Sequence, residues 1–265
     1  MSKLTRFEDY KDRYDNVRFD RDDKGVVTIT LHTDGNSIIW APGTAHDEVA
    51  FAFSDVAGDP EAELVILTGA GDNFIVDYTY GDAGQPVPAV FMERLGWSGY
   101  QLITNFLDIQ VPCIAAINGP TELHSELALL CDVVIASEDA TIMDRAHFAQ
   151  GVVPGDGTHV VWPLVVGQNR ARYFLSTDLK LTAREALEWG AVNEVVPKSD
   201  VLTRAHEIAD KLLVKPLTTR RFTRHLLTQP FRKAAVAELN HGLLLEGYGM
   251  QVFTPTGDRP LWQEH

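Results

Sequence analysis

The 265-residue chain is poor in cysteine, with only Cys113 and Cys131. Each lies in or beside an apolar run, so both read as small buried hydrophobes and not as a disulfide. Basic residues are scarce, with 23 Lys and Arg against 37 Asp and Glu and a formal net charge of −14. So acidic a chain repels phosphate, which argues against nucleic acid and membrane as partners. No uninterrupted apolar stretch is long enough to span a bilayer, and the opening MSKLTRFEDYKDRYD lacks an apolar leader core. Also missing are a Gly-x-Ser-x-Gly elbow and the H-E-x-x-H or H-x-x-E-H metal spacings. Gly69-Ala70-Gly71 follows an apolar run but lacks the rest of a dinucleotide fingerprint. There is no internal repeat and no low-complexity linker. The remaining class is a cytoplasmic enzyme of one large domain, or of one domain with an appendage.

The patterning is that of a mixed α/β (α+β) protein. Spaced aromatics at Phe7, Tyr10 and Tyr14 suit a short docking helix. Val17–Arg21 and Val26–His32 alternate around Asp22-Asp23-Lys24-Gly25, a hairpin signal. Asn36–Trp40 reads as a loop or short edge strand. Thr44 or Asp47 is expected to cap a helix through Val49, Phe53 and Val56, ended at Asp59-Pro60. Leu64–Thr68, Cys113–Ile117, Val133–Ala136 and Thr141–Met143 read as strands, and Phe91–Leu107 and Glu126–Leu130 as helices. Phe74–Pro88 is irregular. From Gly157 onward the pattern is helical: Val160–Val166, Arg170–Leu175, Ala183–Trp189 stopped by Gly190, Asp200–Leu213, Thr218–Leu227 and Phe231–Met250. Strands lead and helices follow, which predicts a repeating ββα core with a helical C-terminal part.

One loop gathers reactive residue types. His147 and Asp156 stand nine positions apart around Pro154-Gly155. If the loop folds back there, the two side chains can meet. An imidazole held by a carboxylate is a general base suited to neutral pH. The plain alternative is that PGDG is only a turn and His147 a surface residue.

Ile117–Ala136, INGPTELHSELALLCDVVIA, resembles the crotonase (enoyl-CoA hydratase/isomerase) superfamily. The likeness continues through GVVPGDGTHVVWPLVVGQNRARYFLSTDLKLTAREALEWGAVNEVVP at Gly151–Pro197. It implies the crotonase fold, a spiral of ββα units over residues 1–197, with a helical trimerisation region over 198–265. It also implies a homotrimer or dimer of trimers.

Two departures bear on chemistry. The family's glycine-rich turn, whose amide holds a thioester oxygen, is here Thr121-Glu122-Leu123-His124-Ser125-Glu126. The segment supplying the second amide reads Phe74-Ile75-Val76-Asp77-Tyr78-Thr79, without small residues. Bulky side chains at these places impede a thioester oxygen. His147 replaces a catalytic glutamate of the hydratases. The pattern instead resembles the 6-oxocamphor hydrolase type of β-diketone hydrolase, through Trp40 and His46 in SIIWAPGTAHDE, His124 in TELHSE, His147 and Asp156, and Glu246 in HGLLLEGYG. That branch implies cofactor-free retro-Claisen cleavage of a small cyclic or bicyclic diketone, giving a keto acid.

On this reading His147 is the base, oriented by Asp156, and His124 polarises a carbonyl. Glu246 positions water or a histidine, and Trp40 and His46 line the substrate. Each keeps a plain alternative: His124 as a buried packing residue, Trp40 as core, His46 as a first-turn helix residue, Glu246 as a solvated helix face. Glu126 reads first as a brace of its own helix, and His159 as a packing residue. No cofactor and no metal are expected. Two rival functions stand beside this one: a coenzyme A thioester hydratase, isomerase or hydrolase, and a non-catalytic scaffold of the same fold.

Overall fold

The computed structural model describes residues 4–79 and 89–252. A short helix α1 (Phe7–Tyr10) precedes the hairpin β1 (Val17–Arg21) and β2 (Val26–Leu31). Its Tyr10 is buried and donates to Asp59, while Tyr14 donates to Asp55, so the aromatics do dock this segment. The hairpin turn is fastened by Asp22, whose carboxylate accepts from the Lys24 and Val26 amides.

Four units share one plan. In each, a long strand enters the main sheet, a short extended piece enters a second layer, and a helix returns. The first is β2, β3 (Ile39–Trp40) and α2 (Ala45–Ala57); the second is β4 (Leu64–Gly69), β5 (Asp77–Tyr78) and α3 (Ala89–Asp108). The third is β6 (Cys113–Ile117), a single bridging residue Thr121, and α4 (Ser125–Leu129). The fourth is β7 (Val133–Ser137), β8 (Thr141–Ile142) and α5 (Thr158–Val166). The short pieces join side by side: β3 pairs with β5, and parallel bridges link Ile75 to Thr121 and Thr121 to Ile142. This is the ββα spiral expected from the sequence.

The main sheet runs β1-β2-β4-β6-β7-β10, where β10 is Glu194–Val196, and all neighbours except β1 and β2 are parallel. Parallel strands covered on both faces are apolar throughout, and their alternation selects the face. Leu64 and Ile66 of β4 pack with Ile114 and Ile135 in one layer, while Val65 and Leu67 join the larger core under α2 and α3. The smaller layer is closed by Val201, Ala205 and Ala209 of a helix from Val201 to Leu213.

Between these parts lie α6 (Gln168–Leu175), β9 (Leu181–Thr182) and α7 (Ala183–Trp189); the helices after β10 are α8 (Val201–Leu213), α9 (Leu217–Leu227), α10 (Gln229–Ala234) and α11 (Asn240–Val252). Gly190 stops α7 in a left-handed conformation at φ 82°. Cys113 and Cys131 are both free and buried. Among the described residues no helix is long and apolar enough to cross a membrane.

Three expectations are corrected. Neither Thr44 nor Asp47 caps α2: the Thr44 hydroxyl donates to Ala41 O, and Asp47 is taken by Arg94. Phe74–Pro88 is not wholly irregular, since it contains β5; its residues 80–88 lie outside the described residues. Phe231–Met250 is not one helix. A five-residue π-helical turn, Ala235–Leu239, separates α10 from α11. A π turn inserts a residue and redirects the helix beyond it. Here it lays α11 against the Pro154-Gly155 loop so closely that a Cβ on Gly155 would sit 2.1 Å from Gly242 O.

Candidate active site

The turns after the short second-layer strands converge on one place. Trp40 ends β3, and His46 opens α2. His124 comes after the Thr121 bridge, and His147 after β8. Asp156 precedes α5, and Glu246 descends from α11. All six side chains are buried, none more than 7% exposed. Trp40 with His46, and His147 with Asp156, are near neighbours in the chain, whereas His124 and Glu246 are brought to them only by the fold.

His147 lies at the centre. Its Nδ1 is 2.6 Å from Asp144 Oδ1, while its Nε2 is 3.3 Å from Asp156 Oδ2 and 3.7 Å from Glu246 Oε1. The loop therefore folds back so that His147 and Asp156 meet. Asp156 faces the same nitrogen as Glu246, whereas Asp144 occupies the opposite ring nitrogen, from which an imidazole is oriented.

His124 makes the second half of the cluster. Its Nδ1 is 2.8 Å from Glu126 Oε1 and 3.4 Å from Asp156 Oδ2, so Asp156 stands between two imidazoles. The backbone of His124 is left-handed at φ 45°, a conformation that glycine adopts freely and other residues at a cost of about 1–2 kcal/mol. The site retains a backbone shape suited to glycine and spends that strain on an imidazole. Glu126 is fully buried and its Oε1 meets His124 Nδ1, so the residue that opens α4 also lies against the cluster. Trp162, which the sequence left without a role, supports this corner. It stacks on Phe174 and donates to Ser125 Oγ at 3.1 Å.

The Trp40 indole leans on His124 with ring centroids 4.4 Å apart, and His46 packs edge-on to Trp40 at 5.6 Å and to His124 at 5.6 Å. His46 Nδ1 lies 3.0 Å from Ser98 Oγ of α3. His46 thus packs edge-on against both Trp40 and His124. His159 lies apart from the cluster. Its Nε2 is 3.4 Å from Glu238 O of the π turn, and its ring fills the space beside Gly242.

Charge in this buried volume is unevenly held. Burial pushes His46 below its ordinary pKa. Burial acts the same way on His147, but the Asp156 and Asp144 carboxylates outweigh it and hold the imidazole well above its ordinary value. His124 is raised for the same reason by Glu126 and Asp156. Burial raises both Glu126 and Glu246. Asp156 is held below the usual carboxylate range, because the His147 and His124 charges overcome its burial. Several polar atoms are buried without a hydrogen-bond partner: Trp40 Nε1, Glu126 Oε2, Asp144 Oδ2 and Glu246 Oε2. Buried polar atoms are normally paired, so these orphans on residues of the cluster and its neighbours leave bonding capacity for a polar guest.

The sequence of this chain matches the model of the enoyl-CoA hydratase/isomerase family over residues 21–246. The chain belongs to that family. A probable peroxisomal enoyl-CoA hydratase of Arabidopsis thaliana is 35% identical over 71% of this chain and 68% of its own length. A carnitinyl-CoA dehydratase of Salmonella typhimurium is 32% identical over 61% of this chain, and the match spans 62% of that protein. Among solved structures, a β-diketone hydrolase of the cyanobacterium Anabaena sp. PCC 7120, bound to (S)-3-oxocyclohexyl acetic acid, is 38% identical. It covers 95% of this chain and 98% of its own, with a TM-score of 0.86. An enoyl-CoA hydratase/isomerase of Mycobacterium paratuberculosis is 26% identical, covering 91% and 95%, with a TM-score of 0.81.

Two triplets in this family member bring ligand-type atoms within 4.8 Å of one another: His124, Glu126 and Asp156, and His147, Asp156 and Glu246. They share Asp156. A cavity of about 450 Å³ runs along α3 and α11, lined by Gly96, Trp97, Tyr100, Leu243, Gly247 and Tyr248. Leu243 and Gly99 close the seam between these helices above His46.

Proposed function

We propose that this chain is a cofactor-independent hydrolase that cleaves the carbon–carbon bond between the carbonyls of a cyclic or bicyclic β-diketone, giving a keto acid. The observation that carries the reading is the pairing of His124 with an unpartnered Trp40 N–H. A pair of side-chain donors of this kind can do for a diketone oxygen what backbone amides do for a thioester oxygen. The similar β-diketone hydrolase and its bound keto acid support the same substrate class.

The substrate dictates the chemistry. Water adds to one carbonyl carbon, and the tetrahedral carbon then releases its bond to the shared carbon. The electron pair moves to the second carbonyl as an enolate, which takes up a proton at carbon. The sum is one diketone and one water to one keto acid. In its neutral form, populated above its raised pKa, His147 takes the water proton at Nε2 and returns it to the enolate; Glu246 and Asp156 hold the water beside it. With Nδ1 taken by Glu126, His124 offers Nε2–H to the developing oxyanion, and Trp40 offers its indole N–H. The side chains are buried, and the low dielectric around them strengthens each of these contacts. The apolar cavity along α3 and α11 offers the approach for substrate.

The test is loss of monocyclic and bicyclic 1,3-diketones, monitored chromatographically without coenzyme A and repeated after dialysis against a chelator. Cleavage to keto acid, insensitive to the chelator, is expected. No cleavage, together with acyl-CoA binding in calorimetry, would favour the thioester reading drawn from the hydratase relatives. Neither signal would favour a non-catalytic scaffold.

A further inference from the structure

Asp144 was given no role by the sequence, yet it makes the shortest contact His147 has, 2.6 Å from Oδ1 to Nδ1. The segment that carries it is fixed along its length. The Met143 amide donates to Thr121 O and the Arg145 amide to Glu122 O. The Arg145 side chain turns the other way, donates to Val76 O and lies over the Tyr78 ring. Alternation then points Asp144 inward, where it is 8% exposed. The His147 carbonyl accepts from the Gln150 and Val152 amides, so the backbone beneath the ring is pinned as well.

An imidazole that removes a proton through Nε2 must carry its own proton on Nδ1. A carboxylate at Nδ1 selects that tautomer; a carboxylate at Nε2 selects the other. Asp144 is at Nδ1 and Asp156 is at Nε2. We propose that Asp144 is the positioning residue that sets the tautomer and orientation of His147, and that Asp156 faces the reacting nitrogen as a carboxylate shared with His124. The catalytic half of this proposal rests on the diketone reading; the structural half does not.

Two measurements test it. The first needs no substrate. Proton NMR of the nitrogen-15-labelled free protein should show a strongly downfield Nδ1–H of His147, assigned by its loss in His147→Gln. It should vanish in Asp144→Asn and persist in Asp156→Asn. A parent protein without that resonance, or one whose resonance depends on Asp156 and not on Asp144, overturns the proposal, and the parent spectrum decides even if Asp144→Asn does not fold. The second uses a cyclic 1,3-diketone. In Asp144→Asn, kcat should fall roughly 10²–10⁴-fold, with KM within about threefold. The carboxylates facing His147 are Asp144, Asp156 and Glu246, and His124 is the facing cation. Removing one negative charge should shift the ascending limb of kcat/KM to lower pH. Asp144→Glu should recover part of kcat. Parental kcat with an unmoved limb in Asp144→Asn would sink the assignment. Failure of every diketone to react leaves the NMR result standing and discards only the functional reading.

Discussion

The Trp40 indole rests on the His124 imidazole at a centroid distance of 4.4 Å, and its N–H is buried with no acceptor. Trp40→Phe keeps an apolar ring there and removes the donor. A hydrogen bond to a neutral carbonyl contributes about 0.5–1.5 kcal/mol, so catalytic efficiency on a cyclic diketone should fall about 2- to 10-fold, with the melting temperature nearly unchanged. Steady-state kinetics on both proteins decide this; equal efficiencies would make Trp40 a wall and nothing more.

Asp156 touches both imidazoles, at 3.3 Å and 3.4 Å. Asp156→Asn is nearly isosteric and removes the charge the two rings share. The fold should survive, and kcat/KM should drop by about 10²-fold or more. A variant that cleaves at the parental rate would exclude Asp156 from the chemistry.

Stability should carry a pH signature. His147 is raised in the folded protein, so its contribution is fully present below the unfolded value of about 6.5 and fades as pH rises through the raised folded value. Asp156 is lowered, so its contribution is present above the ordinary carboxylate range and fades as pH falls through it. The difference in melting temperature between the parent and His147→Gln should therefore be greatest from about pH 4 to 6.5 and shrink on the alkaline side. A difference that grows with pH would contradict this proton inventory.

The close approach of α11 sets a steric test. A Cβ on Gly155 would meet Gly242 O at 2.1 Å and Glu246 Cβ at 2.8 Å, whereas one on Gly96 meets nothing within 4 Å. Gly155→Ala should cost about 1–3 kcal/mol in urea unfolding and lower kcat, because α11 carries Glu246. Gly96→Ala, in the interior of α3, should stabilise by up to about 1 kcal/mol. Parental stability in Gly155→Ala would show that the loop yields without cost.

Much of the fold was legible because local physics fixes it. Alternation marked β1 and β2, continuous apolar runs marked β4 and β6, and Gly190 marked the end of α7. The π turn at Ala235–Leu239 was not legible, since a one-residue insertion leaves no mark in the helical periodicity; it shows only in where Gly242 meets Gly155 and His159. Asp144 was hidden for a related reason. A single aspartate three residues before a histidine is commonplace, and only the clamp along Thr121 and Glu122 turns it inward.

By itself the sequence determined the ββα order, the acidic composition and the presence of imidazoles and carboxylates at His124, His147, Asp156 and Glu246. These depend on composition, periodicity and motif, all carried along the chain. The tertiary structure decided which nitrogen of His147 faces which carboxylate, that Glu126 meets His124, and that His46 packs edge-on to Trp40. Those are questions of direction within a buried volume. A ring's two nitrogens lie on opposite sides, and only packing from distant segments determines what each one meets.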